Sequence, residues 1–237
     1  MMNNNLEIYR QFSAPFRYPG LELIEELSNF KAQLELSHPG ALPEFEKYVS
    51  HMLVLAPTQR EEIFLKTFEV QAICHLEIGY VLFGEDYKRG LFLASMKEEH
   101  RRRCHDCGLE LPDHLSNVLD LFSCLDDEDL VKDIAELALI PAVRSMLSAF
   151  DEKRIRDRIA SLKKKQEAIV QEELNYGNPY RHALGALLMV LDHDFPGVPE
   201  RHRGLTGNNF IPIHDSKDGE LPMCAIACPS VEMAQGD

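Results

Sequence analysis

Tryptophan is absent from the 237 residues, which removes the strongest class of aromatic anchor from any interface argument. A basic surplus is absent too. Lys and Arg number 25 against 39 Asp and Glu, a formal net charge of -14. A nucleic-acid binder displaces counterions with a basic stripe, so this balance argues against a nucleic-acid partner and is compatible with a basic one. Long apolar runs are missing. The strongest late one, Ala183 to Leu191, falls short of the roughly 20 residues needed to cross a bilayer, so no stable membrane association is expected. The opening Met1-Met2-Asn3-Asn4-Asn5-Leu6-Glu7 has no positive region ahead of an apolar core, so no signal peptide is expected. The chain is read as soluble and cytoplasmic. Its six cysteines are then expected mostly as reduced thiols.

Catalytic and β-sheet signatures are lacking as well. There is no Gly-x-Ser-x-Gly and no phosphate-cradling Gly-x-x-x-x-Gly-Lys, and thus no nucleophile elbow or P-loop to build on. No sustained period-two alternation and no Asn-Gly hairpin between β-rich runs appear, nor any repeat of solenoid period. What is present is a chain 45% hydrophobic and 27% charged, enough for a buried core in one domain or one domain with an extension.

The apolar spacing is helical almost throughout. Tyr18-Pro19-Gly20 opens a short helix carrying Leu21, Leu23, Ile24 and Leu27, and His38-Pro39-Gly40 closes that region. From Thr58 to Phe83 the apolar residues Ile63, Phe64, Phe68, Ala72, Ile73, Leu76 and Val81 are dense enough to predict one long helix buried on more than one face. Gly84 is placed to end it. Tyr87 to Arg103 predicts a helix with Leu91, Phe92 and Met96 on its apolar side, closed by Cys107-Gly108. Leu115, Val118, Leu119, Phe122 and Leu125 form the next, with Asp113 able to cap it. Asp126-Asp127-Glu128-Asp129 favours the start of a segment carrying Leu130, Ile134 and Leu137. Pro141 interrupts or restarts that segment before Val143, Met146, Leu147 and Phe150. Asp151 to Leu174 is charge-rich with a thin apolar stripe. Asn178-Pro179 then looks like a cap followed by proline at the first helical position, ahead of Tyr180, Ala183, Leu184, Leu187 and Leu191. Beyond Phe195, prolines and glycines from Pro196 to Pro229 break any useful helix. The expected architecture is an all-α single-domain bundle over 1–195 with an irregular, extended or partly disordered tail over 196–237.

Three constellations carry possible chemistry. Cys104-His105-Asp106-Cys107 is a C-x-x-C whose thiolates can chelate zinc, with His100, His105 or His114 completing a tetrahedral site. Cys224 and Cys228 in the tail can bring the sulfurs to four, for zinc or an iron–sulfur cluster. The plainer reading is a helix end and a tail. Asp113-His114 can act as a proton-transfer pair, or as a cap beside a surface histidine. Asp192-His193-Asp194 looks like a metal triplet, or a solvated helix end. Arg101-Arg102-Arg103 and Lys163-Lys164-Lys165 read as solvated helix faces.

Five segments occur in a telling order: Phe16-Arg17-Tyr18-Pro19, Phe64-Leu65-Lys66-Thr67-Phe68-Glu69, Tyr87-Lys88-Arg89-Gly90 followed by Leu93, Glu110-Leu111-Pro112-Asp113-His114-Leu115, and Asn178-Pro179-Tyr180. Together they resemble the NarJ-type chaperones, the delta-subunit assembly factors of respiratory molybdenum enzymes and relatives of the TorD and DmsD proteins. The second is similar to that family's Tyr-x-x-Thr-Phe-Asp, with Phe64 for Tyr and Glu69 for Asp. The third resembles its Arg-Arg-Gly-x-x-Leu, the fourth its Glu-Leu-Pro-Asp-x-Leu, and the fifth its Ser-Pro-Tyr. The resemblance runs from about Tyr18 to Leu191. The tail with Cys224 and Cys228 has no counterpart.

The resemblance implies an all-α fold and a cytoplasmic, non-enzymatic chaperone. Such a protein binds the apo catalytic subunit of a molybdenum oxidoreductase, at its N-terminal segment. It assists insertion of the molybdopterin guanine dinucleotide cofactor into that partner and holds none stably itself. The client class stays open among nitrate, selenate, perchlorate, dimethyl sulfide and ethylbenzene enzymes. In relatives the Pro-Asp-His loop takes part in signal-peptide binding, which points to Pro112, Asp113 and His114, with Asp113 meeting an incoming arginine. Phe64 and Phe68 are expected as apolar walls of a groove or as plain core, and Glu69 and Leu111 complete the partner-binding set. The competing expectation is a helical metal-binding or redox-sensing protein using Cys104, Cys107, Cys224 and Cys228.

Overall fold

In a computed structural model, residues 6–70, 72–151 and 177–197 are described. The fold is all-α. Helices start where local chemistry satisfies their first amides. Helix α1 (Glu7–Ser13) runs into a 3-10 turn at Ala14–Phe16, and α2 (Leu23–Ser37) and α3 (Leu42–Val54) follow. In α4 (Pro57–Phe68) proline occupies the first turn, where its missing N–H costs nothing, and Gln59 Oε1 accepts the Ala56 N–H at 2.9 Å. Helix α5 (Ile78–Phe83) ends at Gly84, whose φ of 61° favours glycine. Helix α6 (Tyr87–Arg102) is capped by Asp86, which accepts the Lys88 N–H. Helix α7 (Leu115–Ser123) precedes α8 (Glu128–Asp133), where Asp127 accepts the N–H groups of Asp129 and Leu130. Here the acidic run does cap its helix.

From α8 the axis continues through a π-helical turn, Ile134–Leu139, into α9 (Ile140–Ala149). Pro141 supplies the cause. It cannot donate to the carbonyl one α-turn back, and the chain widens just ahead of it, with Ile140 N–H reaching Ala135 O. Helix α10 (Tyr180–Asp194) completes the described fold. The charge-rich segment noted over 151–174, apart from Asp151, and nearly all of the expected tail lie outside the described residues.

Two expectations are corrected. The single long helix over 58–83 is two helices separated by a non-helical segment of turns and bends. Between them Ala72, Cys74, Leu76 and Ile78 are buried while Ile73, His75 and Glu77 are not, a period of two rather than 3.6. Backbone pairing holds this stretch. Ile78 N–H donates to Asp113 O and Leu115 N–H to Leu76 O, each at 2.9 Å, around an isolated antiparallel bridge between Glu77 and His114. Helix α6 keeps its expected span to within one residue, ending at Arg102; the second correction is to what closes it, for the turn comes before Cys107-Gly108. Cys104, with φ of 52°, makes the turn. Leu91, expected on its apolar side, is exposed, whereas Phe92 and Met96 are buried.

Helix α7 is buried nearly all round and is packed by α1, with Tyr9 edge-on to Phe122 at 4.9 Å. Helix α10 lies against α3 and α9, and α5 against α6 and α9. An aromatic chain links the layers. Phe12 meets Phe30 at 4.6 Å and Phe30 meets Phe45 at 4.7 Å, while Tyr48 meets Tyr180 at 5.4 Å and Tyr180 meets Phe68 at 4.8 Å. All of these but the tilted Tyr48–Tyr180 pair are edge-on, and edge-on pairs add about 0.5–1.5 kcal/mol beyond burial. Among the described residues no helix is long and apolar enough to cross a membrane.

One buried polar link ties α4 to α10. Asn178 Oδ1 accepts the Tyr180 N–H at 3.0 Å, and its Nδ2 donates to Thr67 Oγ1 at 2.7 Å. Asn178→Ala removes both a cap and an inter-helix bond. It is expected to lower the unfolding free energy by about 1–2 kcal/mol, read from the midpoint of urea denaturation. A change under a few tenths would show that the link is solvated in both states.

Candidate functional site

The Glu110–Leu115 loop is built by contacts from three directions. His100 Nε2, on α6, donates to Pro112 O at 2.9 Å. Asn117 Nδ2, on α7, donates to Leu111 O and to Cys107 O. The Asp113 backbone pairs with Ile78. The Asp113 carboxylate does not cap α7, whose N-cap is His114. It reaches across to α5, where Oδ2 accepts the Gly79 N–H at 2.9 Å. A Cβ on residue 79 would lie 2.7 Å from that oxygen and 3.0 Å from the Phe92 ring, so glycine is required there for close approach. Asp113 is fully buried. Burial pushes its pKa up, against the Gly79 N–H and the charge of Arg89, which pull it down. Arg89 in turn sits over the Tyr80 ring, 5.2 Å from its centre.

His114 is also buried, not on the surface. Its Nδ1 pairs with Ser116 Oγ at 2.8 Å, and burial lowers its pKa to about 4, Glu77 opposing. The two side chains thus serve separate partners, and the Asp113–His114 proton-transfer pair is not formed. Nor can Asp113 meet an incoming arginine from this conformation, because its carboxylate is sealed beneath the loop.

Phe64 and Phe68 are core rather than groove walls. Both are at most 4% exposed, and their rings pack on each other and on Tyr180, with Tyr18 capping Phe64 at 5.7 Å. The five resembling segments therefore converge in two groups. Tyr18, Phe64, Thr67, Phe68, Asn178 and Tyr180 form one. Gly79, Arg89 and Asp113 form the other, with the Leu-Pro-Asp-His loop.

Between these groups lies what reaches the surface. Glu69 and Glu110 are exposed and Glu77 partly so. Partial burial raises the Glu110 pKa first, and repulsion from Glu69 and Glu77 raises it further, so the three carboxylates share one local field. Val70 follows Glu69, and Leu109 and Leu111 flank Glu110, and all three are exposed apolar side chains. Glu69 and Leu111 were legible as surface candidates. Glu77, Glu110, Val70 and Leu109 were missed, for their signal is proximity across the 69–77 segment, which the single-helix reading concealed.

The cysteines divide. Cys74, Cys107 and Cys124 carry no disulfide, but Cys104 is disulfide-bonded, which corrects the expectation of reduced thiols there and removes Cys104 from the four-sulfur set. Cys107 gathers with His100 and His105, their ligand atoms all within 4.8 Å of one another, and Cys104 is not in that group. His114, the other histidine considered, is engaged with Ser116. Cys224 and Cys228 lie outside the described residues. Burial, then the neighbouring Asp106, raises the Cys107 thiol pKa. The end of α10 is not simply solvated: Asp194 accepts from Tyr9 Oη at 2.8 Å and pairs with His38 and His193, while Asp192 pairs with Arg144. Arg101 to Arg103 pair with Glu98 and Glu99 at the end of α6; Arg101 is exposed as expected, whereas Arg102, Arg103 and both glutamates are partly buried. Lys163 to Lys165 lie outside the described residues.

No family model matches this chain, and no curated protein matches it.

Proposed function

We propose that this chain is a NarJ-type assembly chaperone, a non-enzymatic cytoplasmic protein that binds the apo catalytic subunit of a molybdenum oxidoreductase. It holds the subunit's N-terminal segment while molybdopterin guanine dinucleotide is inserted, and keeps none of that cofactor itself. The observation that carries this reading is the acidic and apolar rim of Glu69, Val70, Glu77, Leu109, Glu110 and Leu111, seated on the two clusters into which the resembling segments fold. An amphipathic basic segment matches such a rim. Its arginines answer the carboxylates, its apolar side chains cover the exposed aliphatics, and the chain's net charge of -14 steers it in. Phe64, Phe68, Pro112, Asp113 and His114 act underneath, fixing the rim rather than touching the partner.

The test is co-purification of the tagged chain from its native host grown without molybdenum. A large molybdopterin-type subunit is expected to come down, and to be released when molybdenum is restored. The double charge reversal Glu69→Lys/Glu110→Lys is expected to reduce recovery about tenfold, the effect of roughly 1.4 kcal/mol. Absence of any such subunit overturns the chaperone reading. Undiminished recovery with the double variant moves the binding surface elsewhere.

A further inference from the structure

His105 and Cys107 line a surface cleft of about 400 Å³, with Arg10, Arg17, Asp106 and Asp120 among its other walls, and the buried His100 lies behind them. The loop that presents them is fixed by its backbone. His105 N–H donates to His100 O, Asp106 Oδ1 accepts the Gly108 N–H, and the Cys107 carbonyl accepts from Asn117. His100 Nε2 faces the Pro112 carbonyl at 2.9 Å. A carbonyl only accepts, so the single proton of a neutral His100 is on Nε2 and its Nδ1 presents a lone pair. That lone pair faces His105 Nδ1 at 2.9 Å. If His105 donates from Nδ1 as a neutral ring, its Nε2 lone pair is turned toward the Asp120 carboxylate, 3.9 Å away, a repulsive pairing. The arrangement is relieved by a positive charge at this spot, either a second proton on His105 or a cation between the two Nδ1 atoms, with which the proton of His105 moves to Nε2 and points at Asp120.

We propose that His100 Nδ1, His105 Nδ1 and Cys107 Sγ bind a borderline-soft divalent cation of the zinc class, with the fourth position open to the cleft. The outer partners are those such ligands need. A backbone carbonyl fixes one imidazole and a carboxylate faces the other, fixing tautomer and ring orientation. Zinc bonds of about 2.0–2.1 Å to nitrogen and about 2.3 Å to sulfur require the nitrogen pair to open slightly and the sulfur to close in, movements within reach of a turn. Binding replaces the S–H bond of Cys107 by a metal–sulfur bond and releases the proton to solvent. The site differs from the other histidine group, His38, His193 and Asp194, where both rings already pair with one carboxylate oxygen. It also differs from the four-cysteine set that the sequence suggests, drawing on Cys107 alone among those sulfurs. Through His100 and Pro112 it couples the cation to the loop beneath the acidic rim.

The test is titration of the full-length reduced chain with cobalt(II), then zinc in competition. One equivalent is expected to bind with a thiolate-to-cobalt charge-transfer band that zinc abolishes. Cys107→Ser is expected to remove that band, and His100→Gln to weaken binding at least tenfold. Asp120→Asn, which touches no metal, is expected to weaken binding about tenfold while the band persists. Circular dichroism of each variant confirms its helix content, and Cys107→Ser serves if His100→Gln does not fold. The proposal is overturned if the reduced parent shows no thiolate–cobalt band. It is also overturned if binding survives both ligand substitutions, or survives them and is lost in Cys224→Ser/Cys228→Ser.

Discussion

Gly79→Ala is expected to lower the unfolding free energy by about 3 kcal/mol, although alanine is the better helix former by about 1 kcal/mol. The added methyl would lie 2.7 Å from Asp113 Oδ2 and 3.0 Å from the Phe92 ring. Neither neighbour is a flexible tip. The carboxylate is buried and its loop is held by Ile78, His100 and Asn117, while Phe92 is 2% exposed in the core. Overpacking of this kind costs about 1–3 kcal/mol. Displacing Asp113 adds the loss of its bond to the Gly79 N–H, which leaves buried polar groups unpaired at about 1–3 kcal/mol. Asp113→Ala alone removes that bond but leaves room, so its cost falls in the lower part of this range. The two substitutions share one contact and therefore do not add. In the Asp113→Ala background, Gly79→Ala is expected to cost at least 1 kcal/mol less than in the parent, a difference large enough for a double-mutant cycle in urea. Strict additivity would mean that the Asp113 carboxylate is not seated on α5.

That contact also shows where the sequence stops being legible. The helices with uninterrupted 3.6-residue stripes, α7 and α10, are readable from spacing alone, because each buries a face continuous along the chain. The cap of α5 is not, since its acceptor lies 34 residues away and nothing near Gly79 announces it. The stretch from Ala72 to Ile78 carried a signal that density obscured. Its buried residues alternate, yet they follow a helix so closely in hydrophobicity that one long element accounts for them equally well. At the candidate site, spacing placed Phe64 and Phe68 on an apolar face without saying whether that face is covered. Tyr180, more than a hundred residues on, covers it. His100, His105 and Cys107 were all noted as possible ligands, but the C-x-x-C pattern drew attention to Cys104, whose sulfur is committed to a disulfide that no local spacing announces. Short-range chemistry was legible where partners are neighbours. It failed where tertiary packing chose them.

Acidification is expected to weaken the fold through His114, starting well above the carboxylate range. Burial lowers its pKa from 6.5 to about 4, despite the opposing charge of Glu77. Above about pH 6.5 the ring is neutral in both the folded and the unfolded chain and the pH dependence is flat. As pH falls from there toward 4, the unfolded chain binds a proton that the folded chain refuses, so stability drops by up to roughly 3 kcal/mol over the window. Asp113 works in the opposite sense. Its folded pKa is raised, so the folded chain takes up its proton before the unfolded chain does, and stability is gained as pH falls through that raised value. His100, also lowered, first by burial, acts in the same direction as His114. The discriminating variant is His114→Gln, which keeps a polar side chain and removes the titrating ring. Urea midpoints from about pH 7 down to about pH 4 are expected to fall less steeply in His114→Gln, the slope between them differing by about 1.4 kcal/mol per pH unit once His114 alone titrates. Parallel curves would mean that His114 is protonated as readily in the fold as outside it, and the Leu-Pro-Asp-His loop would then have to open to water at a cost far below that of global unfolding.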